Sequence, residues 1–493
     1  MGDAQFPLPQ TGTLPPLDLN NVQGDIIEGL AKKRQTFFFF RINKDEVACF
    51  RDQLAHLLPL ITSAGDARSF RNEVKDAKRK AAQIGRQTGL LENSAVNIAF
   101  SKTGLTTLGI NDEINDTPFT VGQRAHAADT LGDNLDKWDE KFKEEIHGVI
   151  LVAASHKHIL DKAWGRVKNI FQVGKEHAGI IVVKELAGQT RPGSEDGHEH
   201  FGFNDGLSQP SIQGVNSDDM DGIDPPVRQG IILLGREGDD GFVEPGQTSA
   251  GPVPRPSWAI DGSFLAFRYL KQLVPEFDDF LERNALDVGI GAPPNAGKDL
   301  LGARLVGRWK SGAPVQLAPI QDDPSLAVPG KNQDFRFSID DQERCPFAAH
   351  IRKTNPRGDL PTVEIRRILR RGITFGPEVT PKEKTDKKSS DDEKLERGLL
   401  FACYQSNIAN GFEFIQNRWA NQKNFPPGAN VVPGFDPLIG VPLDNSQRDI
   451  LGSDPKDLTL PLKLEADWVV SRGGEYFFSP SISALKGIFA KKA

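Results

Sequence analysis

Two pairs of segments in this chain repeat one plan, a short apolar strand that runs straight into an amphipathic helix. Thr36–Ile42 (TFFFFRI) leads into Asp45–Ile61, where Val47, Phe50, Leu54, Leu57, Leu58 and Ile61 share one helical face. Ser263–Leu270 (SFLAFRYL) leads into KQLVPEFDDFLERN in the same way. Gly148–Ser155 (GVILVAAS) precedes His156–Phe171, whose stripe includes Ile159, Leu160, Trp164 and Val167. Its counterpart is Leu399–Gln405 (LLFACYQ) before Asn407–Ala420, striped by Ile408, Phe412, Ile415 and Trp419. Two copies of a strand–helix–strand unit predict a duplicated α+β architecture.

Further strands are predicted at Ala95–Ser101, Gly179–Glu185, Ile231–Gly235, Val363–Leu369 and Glu475–Ser479, whose Phe, Val and Ile suit a half-buried pleated surface. The chain then divides into an N-terminal arm (1–22), a first unit (23–230) and a second (231–493). Gly289–Phe335, rich in Gly, Pro and Asp, reads as a long ordered insertion. Pro381–Arg397 carries six charges of each sign and reads as a solvated surface loop. A cation patch at Asp391, Asp392 and Glu393 is the alternative there.

Composition excludes several classes. A net charge of −7 argues against a general nucleic-acid binder, which shows a basic face. Cys49, Cys345 and Cys403 are odd in number and far apart, so they form neither a disulfide scaffold nor a CxxC zinc site. No apolar run reaches the roughly 18 residues of a membrane span. The N-terminus has no basic stretch followed by an apolar one, so no signal peptide is expected.

Several motifs compete for a chemical reading. GAPPNAGKD around Lys298 has the wrong spacing for a phosphate loop, and VGIGAPP lacks the third glycine of a dinucleotide fingerprint. In an extended segment His198 and His200 face one way and could share a metal, although no third ligand is evident. GFNDGLSQP (202–210) reads as a tight turn or as an acid–base carboxylate, Asp205, held by glycines. In CPFAAHIRKTNPRGD (345–359), His350 lies in an apolar run beside Arg352, Lys353 and Arg357. It reads as a packed histidine, or as an axial haem ligand with cations nearby for propionates. EIRRILRRGITFG (364–376) brings four arginines, 366, 367, 370 and 371, which on one strand would need anionic partners.

GFNDGLSQP, CPFAAHIRKTNPR, RRGITFG with Arg370, GLLFACYQS, PGFDPLIG (433–440) and NNVQGDI (20–26) together resemble the dye-decolorizing peroxidase family, specifically its fungal branch. The likeness runs from Asn20 to the C-terminus. It implies a duplicated ferredoxin-like α+β fold, two antiparallel-sheet domains with helices packed outside, of the dimeric α+β barrel type. The first domain would carry Asp205, and the second His350 and Arg370.

The resemblance also implies one haem b per chain and hydrogen peroxide as oxidant. His350 is then the proximal iron ligand, oriented by Asp436, and Asp205 and Arg370 are the distal catalytic pair. Leu399 and Phe401 line the distal pocket, and Arg352 belongs with the cofactor contacts. Trp419 and Tyr404 are implied as surface aromatics that carry electrons inward from bulky anthraquinone dyes and phenols, by way of ferryl intermediates. Mn²⁺ is a further candidate substrate, and the family's fungal members suggest an extracellular protein.

The residue types suit that chemistry. A carboxylate on the far N–H of an axial imidazole raises its basicity. Peroxide must lose a proton from one oxygen and gain it on the other, which a positioned carboxylate can shuttle. An ordinary aspartate has a pKa of ~4, so it remains a base in acid and predicts an acidic optimum. An arginine can stabilise charge developing on the leaving oxygen. Two alternatives stand beside this reading: a manganese-oxidising or other haem enzyme, and a non-enzymatic haem-binding ferredoxin-like protein.

Overall fold

The computed structural model describes residues 15–86, 88–216, 224–361, 363–444 and 446–491. Residues 1–14 of the predicted arm lie outside them. Residues 15–22 carry no helix or strand, and Val22 is buried.

The first half holds β1 (Arg34–Ile42), β2 (Ser94–Phe100), β3 (Gly148–Ala154) and β4 (Ile180–Gln189). They pair antiparallel in the order β4-β1-β3-β2. The second half holds β5 (Ser263–Gln272), β6 (Leu369–Arg370), β7 (Ile373–Phe375) and β8 (Gly398–Gln405), then a small ladder of β9 (Asp449–Ile450) and β10 (Leu462–Lys463), then β11 (Val469–Ser479). Its main strands run β11-β5-β8-β6, with β7 also on β8. With β6 and β7 taken together as one interrupted strand, both halves follow the order fourth-first-third-second. The repeat read in the sequence is therefore a repeat of position: β1 matches β5 and β3 matches β8.

Phe478 of β11 pairs with Phe100 of β2, which joins the halves into one continuous sheet. The sheet curls until β4 meets β7, where Thr374 Oγ1 donates to the Gln189 carbonyl at 2.6 Å. Strand alternation divides the four consecutive phenylalanines of β1. Phe37 and Phe39 point inward and pack on Phe267 of β5, with ring centroids 4.9 Å apart in both cases. Phe38 and Phe40 point outward to the helices Val47–Leu57 and Lys157–Ile170, where the Phe38 ring stacks on Trp164. Phe38 is 1% exposed, so Phe38→Ala should cost about 3–5 kcal/mol. Chemical denaturation of the two proteins would measure it.

Three sequence expectations need correction. Ile231–Gly235 is not a strand: a 3-10 turn at Gln229–Ile231 opens a chain of buried turns. Its apolar residues fill the core without a ladder, which an apolar run alone does not distinguish. Val363–Leu369 holds a 3-10 turn, Glu364–Arg366, and strand pairing begins only at Leu369. Pro381–Arg397 is not wholly solvated, because Glu383 and Arg397 form a buried two-point ion pair at 2.8 and 2.9 Å.

Candidate active site

The outward face of the second half differs from that of the first. Phe264 and Ala266 of β5 still pack into the helix-covered core. Further along, Arg268 and Leu270 of β5 and Leu399 and Phe401 of β8 open instead onto a cavity of about 750 Å³. His350, Asp205 and Arg370 line the same cavity. Three separate elements bring them there: the loop after β4, the short helix His350–Thr354, and β6.

His350 is the first residue of its helix. Its Nδ1 bonds Asp436 Oδ2 at 2.8 Å. Asp436 is fully buried, and its other oxygen accepts the N–H groups of Leu438 (2.8 Å) and Ile439 (3.0 Å). That fixes the carboxylate, which in turn fixes the ring and leaves Nε2 for the cavity. Burial works against a charged imidazole, but Asp436 outweighs it and raises the His350 pKa. The same pairing overcomes burial at Asp436 and holds its carboxyl below the usual range.

Asp205 sits in a turn built by its neighbours. Glu199 accepts the N–H groups of Phe201 and Phe203, each at 2.9 Å, and curls the loop. The Asp205 N–H donates to the Gly197 carbonyl at 3.0 Å. Gly206, at φ 78°, turns its N–H back to Asp205 Oδ1 at 2.6 Å. Arg370 Nη1 donates to that same oxygen at 2.5 Å. Gln209 holds Arg370 from the main chain, accepting its N–H at 3.0 Å and donating to its carbonyl at 3.2 Å. Burial alone would push the Asp205 carboxyl up, yet the Arg370 charge prevails and holds it below the ordinary value.

Cations face the cavity in excess. Arg308 and Arg357 both donate to Gln333 Oε1, at 3.2 and 3.1 Å. Arg357 has Asp224 at 3.4 Å, whereas Arg308 has no ion pair among the described residues and bonds otherwise to main-chain carbonyls. A buried guanidinium without a carboxylate is costly unless an anion completes it. This cluster suits a cofactor that brings its own carboxylates.

The chain matches the model of the DyP dimeric alpha+beta barrel domain over residues 21–192 and that of the Dyp-type peroxidase C-terminal domain over 303–425. It is 42% identical to the dye-decolorizing peroxidase of Mycena epipterygia, over 96% of this chain and 87% of that protein. The chain belongs to the dye-decolorizing peroxidase family. It is therefore a peroxidase, and the fold agrees. An ancestral D-type dye decolorizing peroxidase superposes with a TM-score of 0.87 at 50% identity, covering 97% of this chain and 100% of that one. A dye-decolorizing peroxidase in complex with 2,6-dimethoxyphenol gives 0.82 at 40% identity, over 96% and 100%.

Against this family frame, several residue expectations change. Arg352 does not reach the cavity. It is fully buried, and all five of its N–H groups are engaged: twice by Asp359 and by the carbonyls of Ser338, Asp341 and Cys345. Phe337 and Phe347 flank its plane. It braces the segment that presents His350, while Arg308, which the sequence reading passed over, faces the cavity. Lys353 likewise donates inward, to the carbonyls of Gln422 and Phe425.

Trp419 and Tyr404 are not surface residues. Trp419 is 4% exposed and stacks on Phe425, with centroids 5.2 Å apart. Tyr404 is fully buried and donates to Asp25 Oδ2 at 3.2 Å. The apolar stripe of the Asn407–Ala420 segment buries Trp419, as the periodicity alone would have it.

The four arginines do not share a strand face. Arg367 and Arg370 reach the carboxylates of Asp224 and Asp205, while Arg366 and Arg371 bond mainly to carbonyls and an amide oxygen. His198 and His200 bond the Lys310 and Phe375 carbonyls respectively. Among the described residues no group of three or more His, Cys, Asp or Glu is placed to hold a metal, at Asp391–Glu393 or elsewhere. Among the described residues no helix is long and apolar enough to cross a membrane.

Proposed function

We propose that this peroxidase holds haem b through His350 and uses hydrogen peroxide to oxidise phenols and anthraquinone-type dyes. One observation carries the reading: an imidazole anchored by a buried carboxylate and an Asp–Arg pair line a single cavity, into which Arg308 also faces with no carboxylate partner among the described residues. Haem, when bound, supplies the iron at which peroxide is cleaved. His350 Nε2 would hold it from one side, and Arg308 and Arg357 would meet its carboxylates. Leu399 and Phe401 would wall the other side and keep bulk water away.

Asp205 then takes the proton from one peroxide oxygen and returns it to the other. The Arg370 guanidinium, on the same carboxylate oxygen, is placed to stabilise charge growing on the leaving oxygen. A relative is known in complex with 2,6-dimethoxyphenol, which supports phenols as a substrate class here. A cavity of this volume suits one drug-sized ligand. A bound macrocycle would take up much of that space, so a multi-ring dye would surrender its electrons elsewhere on the protein. We also place the protein outside the cell. Two of the three free cysteines, Cys345 and Cys403, are buried, with Cys49 partly exposed, and assay of culture fluid against lysate tests the placement.

The acid side of the pH profile follows from Asp205. Its folded pKa is lowered, so the base is present above that value and lost only as pH falls through it. The peroxide reaction should therefore keep its rate below the ordinary aspartate pKa of ~3.9. Arg370→Leu removes the cation but leaves the burial, so the acid limb should move up. Stopped-flow rates against pH on both proteins test this; an unmoved limb contradicts the assignment.

A further inference from the structure

All six tryptophans and all three tyrosines are buried, none more than 8% exposed. Any Trp or Tyr that relays an electron from a reductant too large for the cavity is therefore a ring beneath the surface. The tyrosines differ in where an oxidised phenol could send its proton. Tyr404 donates to Asp25, which is itself fully buried. Tyr269 donates to Glu396 at 2.6 Å, whose further partners are the cations of Lys271 and Arg472 at 3.6 and 3.5 Å, neither of them a base.

Tyr476 is different. Its hydroxyl donates to Glu413 Oε1 at 2.8 Å, and the same oxygen meets His126 Nδ1 at 2.7 Å. The His126 side chain is 26% exposed. A phenol–carboxylate–imidazole chain thus runs from the core to water. At its inner end the Phe412 ring lies 6.2 Å from Tyr476 and 6.0 Å from Phe401, and both phenylalanines line the cavity. The charged neighbours are Arg268 and Glu475 near Tyr476, and Asp116 near His126. The bond to Glu413 outweighs burial at His126, so the imidazole keeps its proton more readily than a free histidine.

We propose that Tyr476 is an internal one-electron relay of this peroxidase, with Glu413 and His126 as its proton route, serving phenolic reductants. The inference rests on the haem-peroxidase reading above. In the outward half-step, Tyr476 gives one electron to the oxidising equivalent that peroxide leaves in the cavity. Its O–H bond breaks, the proton passes to the Glu413 carboxylate, and the imidazole releases one proton to water. A neutral tyrosyl radical remains. A phenol at the surface then returns one electron and one proton, restores Tyr476, and leaves as a phenoxyl radical.

The test uses the full-length, haem-loaded protein mixed with hydrogen peroxide and frozen for electron paramagnetic resonance. The wild type should show a tyrosyl signal that Tyr476→Phe abolishes and that Tyr404→Phe and Tyr269→Phe keep. Glu413→Gln should slow its appearance by about a hundredfold, the loss of one proton acceptor. Should that variant not fold, the wild type in D₂O serves instead: slower radical formation supports the relay, and an unchanged rate overturns it. In the haem-free protein, the His126 titration midpoint by nuclear magnetic resonance should fall in Glu413→Gln; an unmoved midpoint removes the outer link. A Soret band that ignores peroxide overturns the haem-peroxidase reading itself. A responsive Soret band with no tyrosyl signal, or with one that Tyr476→Phe leaves intact, overturns the relay alone.

Discussion

Asp205→Asn should slow the reaction with hydrogen peroxide by about 10²–10⁴-fold while haem remains bound. The substituted amide keeps the shape and can still accept from Arg370, which donates to Oδ1 at 2.5 Å. It cannot take a proton at working pH, so the shuttle between the two peroxide oxygens is lost. The cavity, the cation cluster and the His350–Asp436 pair are untouched, so the resting spectrum should stay close to wild type. Arg370→Leu should give a loss of about 10²–10³-fold, the effect of removing one preorganised charge-stabilising donor. The two losses should not add, because both side chains act on one peroxide through one shared carboxylate oxygen. Stopped-flow kinetics on both single variants and the double variant measure all three values. Wild-type rates in either single variant would remove these residues from the mechanism.

Asp436→Asn should weaken haem retention by about 10–100-fold. The carboxylate does two things: it holds Nδ1 at 2.8 Å, and it raises the His350 pKa against the effect of burial. An amide oxygen can still accept the Nδ1 proton, so the ring should keep its direction but become a poorer donor at Nε2. Asp436 also accepts two main-chain N–H groups, and its replacement should lower the melting temperature as well. His350→Ala removes the nitrogen altogether and should abolish axial ligation. Competition for haem by apomyoglobin would rank the three proteins. Equal retention in all three would mean that the iron is held from elsewhere.

Much of this arrangement could be read from the residues, and the reasons for the misses are physical. The strands at the first and third positions of each half are dense in Phe, Ile, Leu and Val, and both are followed at once by a striped segment. Such signals are local, so periodicity finds them. The second strand of the second half is broken at Arg371–Gly372 into pieces of two and three residues, too short for any period to show. The helix Ala64–Gln83 was not anticipated because only Ala64 and Ala67 along it are buried. A long polar helix lacks the stripe that announces the others.

The candidate site divides in the same way. His350, Asp205, Arg370 and Asp436 sit inside short motifs; the fold brings the first three to one cavity and sets Asp436 behind His350. A sequence shows a charge but not its direction, so it singles out Arg352 beside His350 and gives no sign of Arg308. Arg352 points into its own segment, while Arg308 turns toward the cavity. Trp419 and Tyr404 failed as surface groups for a related reason. Aromatic side chains on apolar elements are buried by default, and here that holds for every Trp and Tyr in the chain.

The central claim is that His350 holds haem in a cavity where Asp205 activates peroxide, and the visible absorption spectrum tests it most directly. Haem titrated into the purified protein should produce a Soret band that saturates at one equivalent and shifts when hydrogen peroxide is added. In Asp205→Asn the same band should form and shift far more slowly. A band that never saturates, or one that forms identically in His350→Ala, would contradict the account.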